Sequence, residues 1–388
     1  MTGPPDDPDV WDLVVVGAGP AGATAALAAL RARPGLRVLL LDREDFPRDK
    51  SCGDGIAPHV LEVLQGLGAG DVLDGWTPLH RLELSRGERR VEGRMARPVW
   101  VVPRKVLDAR LVDHAVAAGA TLRRHRVRVL RRAGSSYEID GGVRARVVVG
   151  ADGAHSAVRA AIGAGRVGRR ALAIRGYAPT PEGRHARQVI RYGERRQPSY
   201  AWSFDRGDGW SNVGYGELVT GGGDAPTRGL LLDQLEALLP GSVPGGTEWR
   251  GHHLPLSGWR WGREQPDGPV LLVGDAAGLV NPMTGEGIYY AVATGRLAGE
   301  AAASALAEGV PAGAGARHRR ATRRLLDGHL HHTWLAARLS RYPAVVGAGI
   351  GAAGRDQRVF DTLVELGLGD GRITPRLAAG LATGLARK

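Results

Sequence analysis

The residues best suited to chemistry cluster early in the chain. Gly17, Gly19 and Gly22 are spaced G-x-G-x-x-G, with Ala18, Pro20 and Ala21 between them, after the apolar run "DLVVVGAG" and at the head of the alanine-rich "PAGATAALAALRAR". Between a strand and a helix, the first glycine permits a tight turn. The second lets a phosphate approach the backbone, and the third lets the helix lie close on the strand. The helix start then faces the phosphate with the positive end of its dipole. Asp42 closes a second apolar run, "RVLLLDR", at the spacing from which a carboxylate bonds a ribose hydroxyl, and Arg43 follows it. The next segment, "DREDFPRDKSCGDGI", carries Lys50, Gly53 and the only cysteine, Cys52. With Lys50 facing the sulfur, Cys52 is a reactive thiolate. Without it, Cys52 is a small buried hydrophobe.

Holding these groups in place takes a βαβ unit, and the pattern supplies one. Both early strands are continuously apolar, as parallel sheets covered on both faces require. Helices are expected over residues 58–67 and 104–120. The stretch "TLRRHRVRVLRR" alternates as one strand, and "YEID" and "RARVVVGADG" return as two more. Residues 172–253 are β-rich, with Trp and Tyr at alternate positions and a helix over 228–239. "GPVLLVGDAAG" is another buried strand and turn, and the chain from Glu286 onward is mostly helical. The expected fold class is α/β. A Rossmann-like parallel sheet would form from residues 1–170 and 268–310, and an antiparallel-sheet substrate domain from 171–267, joined by part of 76–103. A C-terminal helical region would follow over 311–388.

Composition bounds the setting. The chain has 388 residues and a formal net charge of +12; of its 52 basic residues only Lys50, Lys105 and Lys388 are lysine. Excess positive charge favours anionic partners, but no nucleic-acid module signature is present, so nucleic acid is not expected. A single cysteine excludes an internal disulfide and fits a cytoplasmic protein. The start "MTGPPDDPDV" lacks the basic region of a secretory signal, and no apolar run is long enough to span a bilayer.

Two later segments, "GADGAHSAVR" with Asp152 and "GDAAGLVNPMTGEGI" with Asp275, Pro282, Gly285, Gly287 and Ile288, resemble the downstream signatures of FAD enzymes with the p-hydroxybenzoate hydroxylase fold. The resemblance implies that FAD is the cofactor and that Asp275 bonds its ribityl chain. It also implies that the helix after "NPMTGEGI" points its N-terminus at the flavin ring. "PRKVLDARL" matches an R-x-x-x-D-x-x-L helix start beside the flavin, which assigns Arg104 a cofactor contact; an Arg104–Asp108 ion pair is compatible with it. Val127, expected on the next strand, is the implied adenine contact.

Within that fold, "PRDKSCGDG", "YAWSFD" (Tyr200 to Asp205) and "NVGYG" resemble the geranylgeranyl reductase family, with Asp205 standing where that family usually has proline. The resemblance runs from about Asp12 to Ala305. It implies hydride transfer from flavin N5 to an isoprenoid C=C bond of a prenyl lipid, quinone or terpenoid. Cys52, Tyr200 and Trp202 would stand at the reacting centre, and Cys52, Tyr200 or water would give the proton. The external reductant would be NAD(P)H or a small electron carrier, since no second glycine-rich nucleotide motif is present. An FAD-dependent monooxygenase, or an oxidase or dehydrogenase acting on a natural-product intermediate, is the alternative. A lipid or other small-molecule substrate also raises peripheral contact with the inner face of the membrane, through "HLHHTWLAARL", against the simpler reading of a helix packed on the core. The oligomeric state is not legible.

Overall fold

The structure is a computed structural model that describes residues 10–165, 168–219, 225–263 and 265–386. Strand Val10–Val16 lies at the centre of a seven-stranded sheet. It pairs in parallel with Val38–Asp42 on one side and with Val143–Gly150 on the other, and Thr121–Arg124 extends the parallel ladder. The outer edge of Val143–Gly150 is shared. Its first half takes the hairpin strand Ser136–Ile139, and its second half takes Val270–Leu272 in parallel. Leu13, Val14, Val15 and Leu39 to Leu41 are fully buried, which is why these runs are apolar without alternation.

Helix Pro20–Ala32 starts with proline in its first turn and packs against helix Ile288–Ala307. Small residues set their separation. A Cβ on Gly295 would lie 2.2 Å from the Ala21 carbonyl oxygen, and one on Gly299 would lie 2.3 Å from that of Ala25. This crossing carries the glycine turn at Gly17–Gly22 and the loop at Pro282–Gly287 to the same end of the sheet.

The second sheet has eight strands among the described residues. Arg169–Pro179 lies between Thr247–Leu256 and Trp210–Val219, all antiparallel. Tyr200–Asp205 and Arg187–Tyr192 follow, and Arg187–Tyr192 pairs in parallel with Leu79–Arg86. Arg89–Val101 then pairs with the two-residue strand Gly55–Ile56, directly after the Cys52 segment. Helix Arg228–Leu238 covers one face through Leu231 and Leu235. Helices Pro343–Arg355, Gln357–Leu368 and Pro375–Ala386 cover the other, where Val346, Ile350 and Phe360 pack with Leu79, Leu82 and Leu84.

One expectation is corrected. "TLRRHRVRVLRR" is not a single strand: it divides into Thr121–Arg124 and Leu130–Ala133. Between them the Asp140 carboxylate accepts the backbone N–H groups of Arg128 and Val129 and meets the His125 ring at 2.7 Å. Those N–H groups bond a side chain in place of a ladder, so Val127 lies on an irregular segment and not on a strand.

Replacing Gly295 with valine is expected to destabilise the fold by about 1–3 kcal/mol, because the new side chain meets backbone that cannot move aside. Urea denaturation measures this; an unchanged midpoint would show that the two helices can separate.

Candidate active site

The three glycine-containing turns meet at one end of the parallel sheet. Gly17 has φ +98°, and a Cβ there would lie 2.4 Å from the Ala151 carbonyl oxygen, so the first turn rests on the second. A Cβ on Gly22 would lie 1.8 Å from the Gly17 oxygen, so only glycine lets the helix start this close to the strand. Gly274, which opens the third turn, lies against Ala21. Lys50 joins the last two turns, with its ammonium 3.6 Å from the Asp275 carboxylate and beside Gly153.

Facing Gly19 are two guanidiniums, those of Arg48 and Arg104. Asp108 holds both. Arg104 donates to it at 2.6 and 2.8 Å, and Arg48 at 3.0 Å. Burial opposes the Arg104 charge, but the Asp108 carboxylate more than offsets this and keeps the guanidinium protonated well above its ordinary range. Asp42 accepts the Ala18 N–H at 2.8 Å and lies 3.4 Å from Arg48. A backbone cradle that excludes side chains, two fixed cations and a terminal carboxylate fit the diphosphate and ribose of a dinucleotide.

Other expected site residues stand differently. Arg43 is exposed and pairs with neighbouring Glu44, away from the turn. The Asp152 carboxylate is occupied locally, accepting from the Ser156 hydroxyl and the N–H groups of Ala157 and Val158. Its backbone, and not its side chain, supports Gly17. Val127 is partly buried against the first sheet's core.

The Cys52 segment is tied to the second sheet by a buried knot. Asp54, with no exposed surface and φ +58°, accepts from the Tyr177 hydroxyl at 2.5 Å and from the Asn212 amide at 2.8 Å. The Asn212 amide also donates to the Cys52 carbonyl at 2.9 Å, and its oxygen accepts from the Trp202 indole at 2.8 Å. Burial pushes the Asp54 carboxyl up to about 6, against the opposing pull of Tyr177, Arg175 and Asn212. Burial likewise pushes the Cys52 thiol up to about 11, although Arg104 opposes it. The thiolate reading is therefore corrected: Lys50 is engaged with Asp275, and Cys52 stays protonated.

A cavity of about 330 Å³ extends from the glycine turns and Arg104, past this loop, over the second sheet and under the C-terminal helices. Tyr200, Trp202 and Phe204 form a row along one strand, with ring centroids 6.0 and 6.4 Å apart, and Gly53 rests on Trp202 and Phe204. Leu363, Leu366, Leu377 and Leu381 close the opposite side. The Tyr200 hydroxyl donates to the Thr284 carbonyl, and burial pushes its titration upward. Gly285, with φ +72°, lies beside Tyr200, and Pro282, Gly287 and Ile288 line the same wall. Next to them Glu286 accepts the Tyr289 N–H at 2.9 Å, in the first turn of helix Ile288–Ala307. Burial pushes the Glu286 carboxyl up to about 7, against the N–H groups of Tyr289 and Ile288.

Arg48, Asp54 and Glu286 were not assigned to the site from sequence. Arg48 had only its place in "PRDK" to mark it, and its partner Asp108 is 60 residues away. Glu286 stood between two glycines in a loop, where its burial is not legible.

Residues 10–180 match the FAD binding domain family. The chain is 36% identical over 319 residues to a menaquinone reductase of Mycolicibacterium smegmatis, covering 74% of this chain and 75% of the relative. It is 37% identical over 340 residues to digeranylgeranylglycerophospholipid reductase 1 of Methanopyrus kandleri, covering 77% and 82%. Among solved structures, a geranylgeranyl bacteriochlorophyll reductase-like protein of Thermoplasma acidophilum superposes with a TM-score of 0.79 at 18% identity, covering 98% and 96%, a likeness of fold. Fold and sequence together define an FAD-dependent oxidoreductase. Within that class, the chain belongs to the geranylgeranyl reductase family.

Replacing Asp42 with alanine removes the acceptor for the Ala18 N–H and the carboxylate that stands where a ribose would be bound. FAD affinity is expected to fall about 10- to 100-fold, the equivalent of losing one charged hydrogen bond. Flavin fluorescence titration of the apoprotein reads this, and unchanged affinity would release Asp42 from the cofactor site.

Proposed function

We propose that the chain saturates isoprenoid C=C bonds of a prenyl lipid or prenylated quinone. The observation that carries this reading is the apolar part of the cavity beyond the Gly285–Gly287 loop, walled by Leu82, Leu84, Ile190, Leu363, Leu366 and Leu377, while the remainder of the same cavity is lined by the cofactor residues Gly19, Lys50, Arg104 and Asp275. An apolar chain suits such a wall better than a polar aromatic does.

When bound, FAD supplies the reducing equivalents, renewed by NAD(P)H or a small electron carrier. The protein's part is positioning. The Gly17–Gly22 turn with Arg48 and Arg104 holds the diphosphate, Asp42 the ribose, and Asp275 with Lys50 the linking chain. The start of helix Ile288–Ala307 offers N–H groups at the ring edge, where negative charge collects. Tyr200, Trp202 and Phe204 would present aromatic faces to an alkene that gains positive charge as it takes up the proton, before hydride closes the other carbon. The leucines of the C-terminal helices exclude water. Glu286, holding a proton near neutral pH beside the cavity, is the proton source. Cys52 packs at the reacting centre as a neutral thiol, and the Tyr200 proton is committed to Thr284.

The cavity also suggests how a lipid arrives. His329 is buried and bonded to Tyr290 and the Gly371 carbonyl, so much of the "HLHHTWLAARL" helix packs inward. Its outer side, however, brings exposed Leu335 and Arg338 near Trp259 and Tyr342, which are 53% and 64% exposed. That mixture suits a bilayer interface, and no described helix is long and apolar enough to cross a membrane.

Two measurements test the reading. The FAD-loaded protein, reduced under anaerobic conditions and mixed with geranylgeranyl diphosphate or menaquinone, is expected to return its flavin to the oxidised state while the product gains two hydrogens. Gain of an oxygen in air would assign an oxygenase, and no reoxidation with either compound would end the reductase reading. In a pH profile, turnover requires protonated Glu286, so kcat is expected to be full below about pH 7 and to fall as pH rises through it. A Glu286→Gln variant is expected to lower kcat and to lose that alkaline limb; a limb that persists unchanged would exclude Glu286.

A further inference from the structure

Strand Arg187–Tyr192 carries two polar side chains that an apolar substrate chain does not explain. Alternation puts Gln188, Ile190 and Tyr192 on one face of it, and all three line the cavity. Packing agrees: Ile190 and Tyr192 lie against the cluster under the C-terminal helices, while Val189 packs on the opposite side with Leu231 and Leu235. The register sets their neighbours. Gln188 stands between Leu82 and Phe204, Ile190 between Leu84 and Trp202, and Tyr192 beside Tyr200. The three therefore form part of the cavity floor, with leucines on one flank and the aromatic row on the other.

Among the described residues, no side chain or backbone group bonds the Gln188 amide or the Tyr192 hydroxyl. Gln188 is only 2% exposed, so bulk water does not serve its amide either. Tyr192 faces Tyr200 with ring centroids 6.1 Å apart, but only the Tyr200 hydroxyl is committed, to the Thr284 carbonyl. Burial alone pushes the Tyr192 phenol up to about 12, so it stays an O–H donor. Other polar side chains of the wall are engaged: Arg104 with Asp108, Arg175 with Asp49, and Asp275 with Lys50. A buried amide without a partner is costly unless a ligand completes it. A few convergent polar groups in an otherwise apolar pocket are what fixes a ligand's orientation.

Both groups are neutral, so they suit the oxygens of an uncharged head; a phosphate calls for guanidinium or ammonium partners. Four residues of strand set their backbone positions about 13 Å apart, and two hydrogen bonds occupy about 6 Å of that. What remains is the span of one ring with an oxygen at each of two opposite positions. Ile190, between them, offers that ring an apolar seat, with Trp202 at its edge. We propose that Gln188 and Tyr192 form a head-group site in the cavity floor, which holds a quinone ring by its two oxygens over Ile190. This rests on the reductase reading above and narrows it to prenylated quinones. The amide N–H and the phenol O–H donate to the two carbonyls. An amide also carries an acceptor oxygen and a phenol a lone pair, so the same two groups hold the quinol.

The test is direct binding to the oxidised, FAD-loaded protein, read by calorimetry so that no turnover is needed. The probes are a geranyl-substituted naphthoquinone and the same molecule with both oxygens removed. Wild-type protein is expected to bind the quinone about tenfold or more tightly than the naphthalene, the yield of two neutral hydrogen bonds. Gln188→Leu and Tyr192→Phe are each expected to lower quinone affinity about 3- to 10-fold and to leave naphthalene binding unchanged; the double variant should bring the ratio near one. Because neither group has a protein partner, urea denaturation of the variants is expected to show no loss of stability. A ratio near one in the wild type, a ratio that survives the double variant, or an equal loss for both probes would overturn the site. A lowered urea midpoint would overturn it too, since the two groups would then be structural. Geranylgeranyl diphosphate, which carries no ring, is expected to bind the double variant as it binds the wild type, and a loss matching that of the quinone would count against the assignment. If the ratio holds but no prenyl double bond is reduced, it is the reductase reading that fails and not the head-group site.

Discussion

Everything near the reacting centre depends on keeping one carboxylate dry. Asp54 has no exposed surface, yet it accepts from Tyr177 and Asn212, and Asn212 in turn holds the Cys52 carbonyl and the Trp202 indole. Tyr177 and Asn212 belong to the second sheet, and Asp54 belongs to the loop leaving the first. This buried group therefore helps register the two sheets to each other, beside the Arg175–Asp49 ion pair and the Gly55–Ile56 strand. Burying it raises its titration to about 6 and forces a left-handed backbone at a non-glycine residue. Both costs are tolerable only because the surrounding network over-determines the position. Without that knot, the floor of the cavity, built on Trp202, would lose its hydrogen-bonded tie to the loop carrying Cys52.

What was legible in the sequence follows from how local each signal is. The three glycine turns could be read because each needs only a strand, a few small residues and a helix start within a short window. Tyr200 and Trp202 could be placed on one face by alternation alone. The break in Thr121–Ala133 could not be read, because it depends on Asp140, which reaches back across a turn to take two N–H groups. Arg48 was hidden for a similar reason: its value lies in standing between Asp42 and Asp108, and neither is a near neighbour in sequence. The C-terminal region was legible as helical, but a helical pattern does not say whether a face covers core or cavity.

Charge is distributed along the site in a way that sorts its ligands. Paired cations, Arg48 and Arg104 with Asp42 and Asp108, occupy the end at the glycine turns. Because they are already neutralised in part, they orient an anion without strongly attracting water or stray ions. The middle of the cavity is aliphatic and aromatic.

The same burial that organises the site also ranks its acids. Apolar surroundings disfavour every charged form, so the thiol of Cys52, the phenol of Tyr200 and the carboxyl of Glu286 are all raised. They start from different ordinary values, however, and a common upward push separates them in usefulness. The thiol and phenol move beyond the range in which they could give up a proton at neutral pH. The carboxyl, ordinarily ionised, moves into it. Two N–H groups of the helix start keep Glu286 from rising further, which leaves it both protonated enough to donate and acidic enough to let go. A lone cysteine draws the eye in the sequence, but in this environment the residue matched to proton transfer is the glutamate between the two glycines.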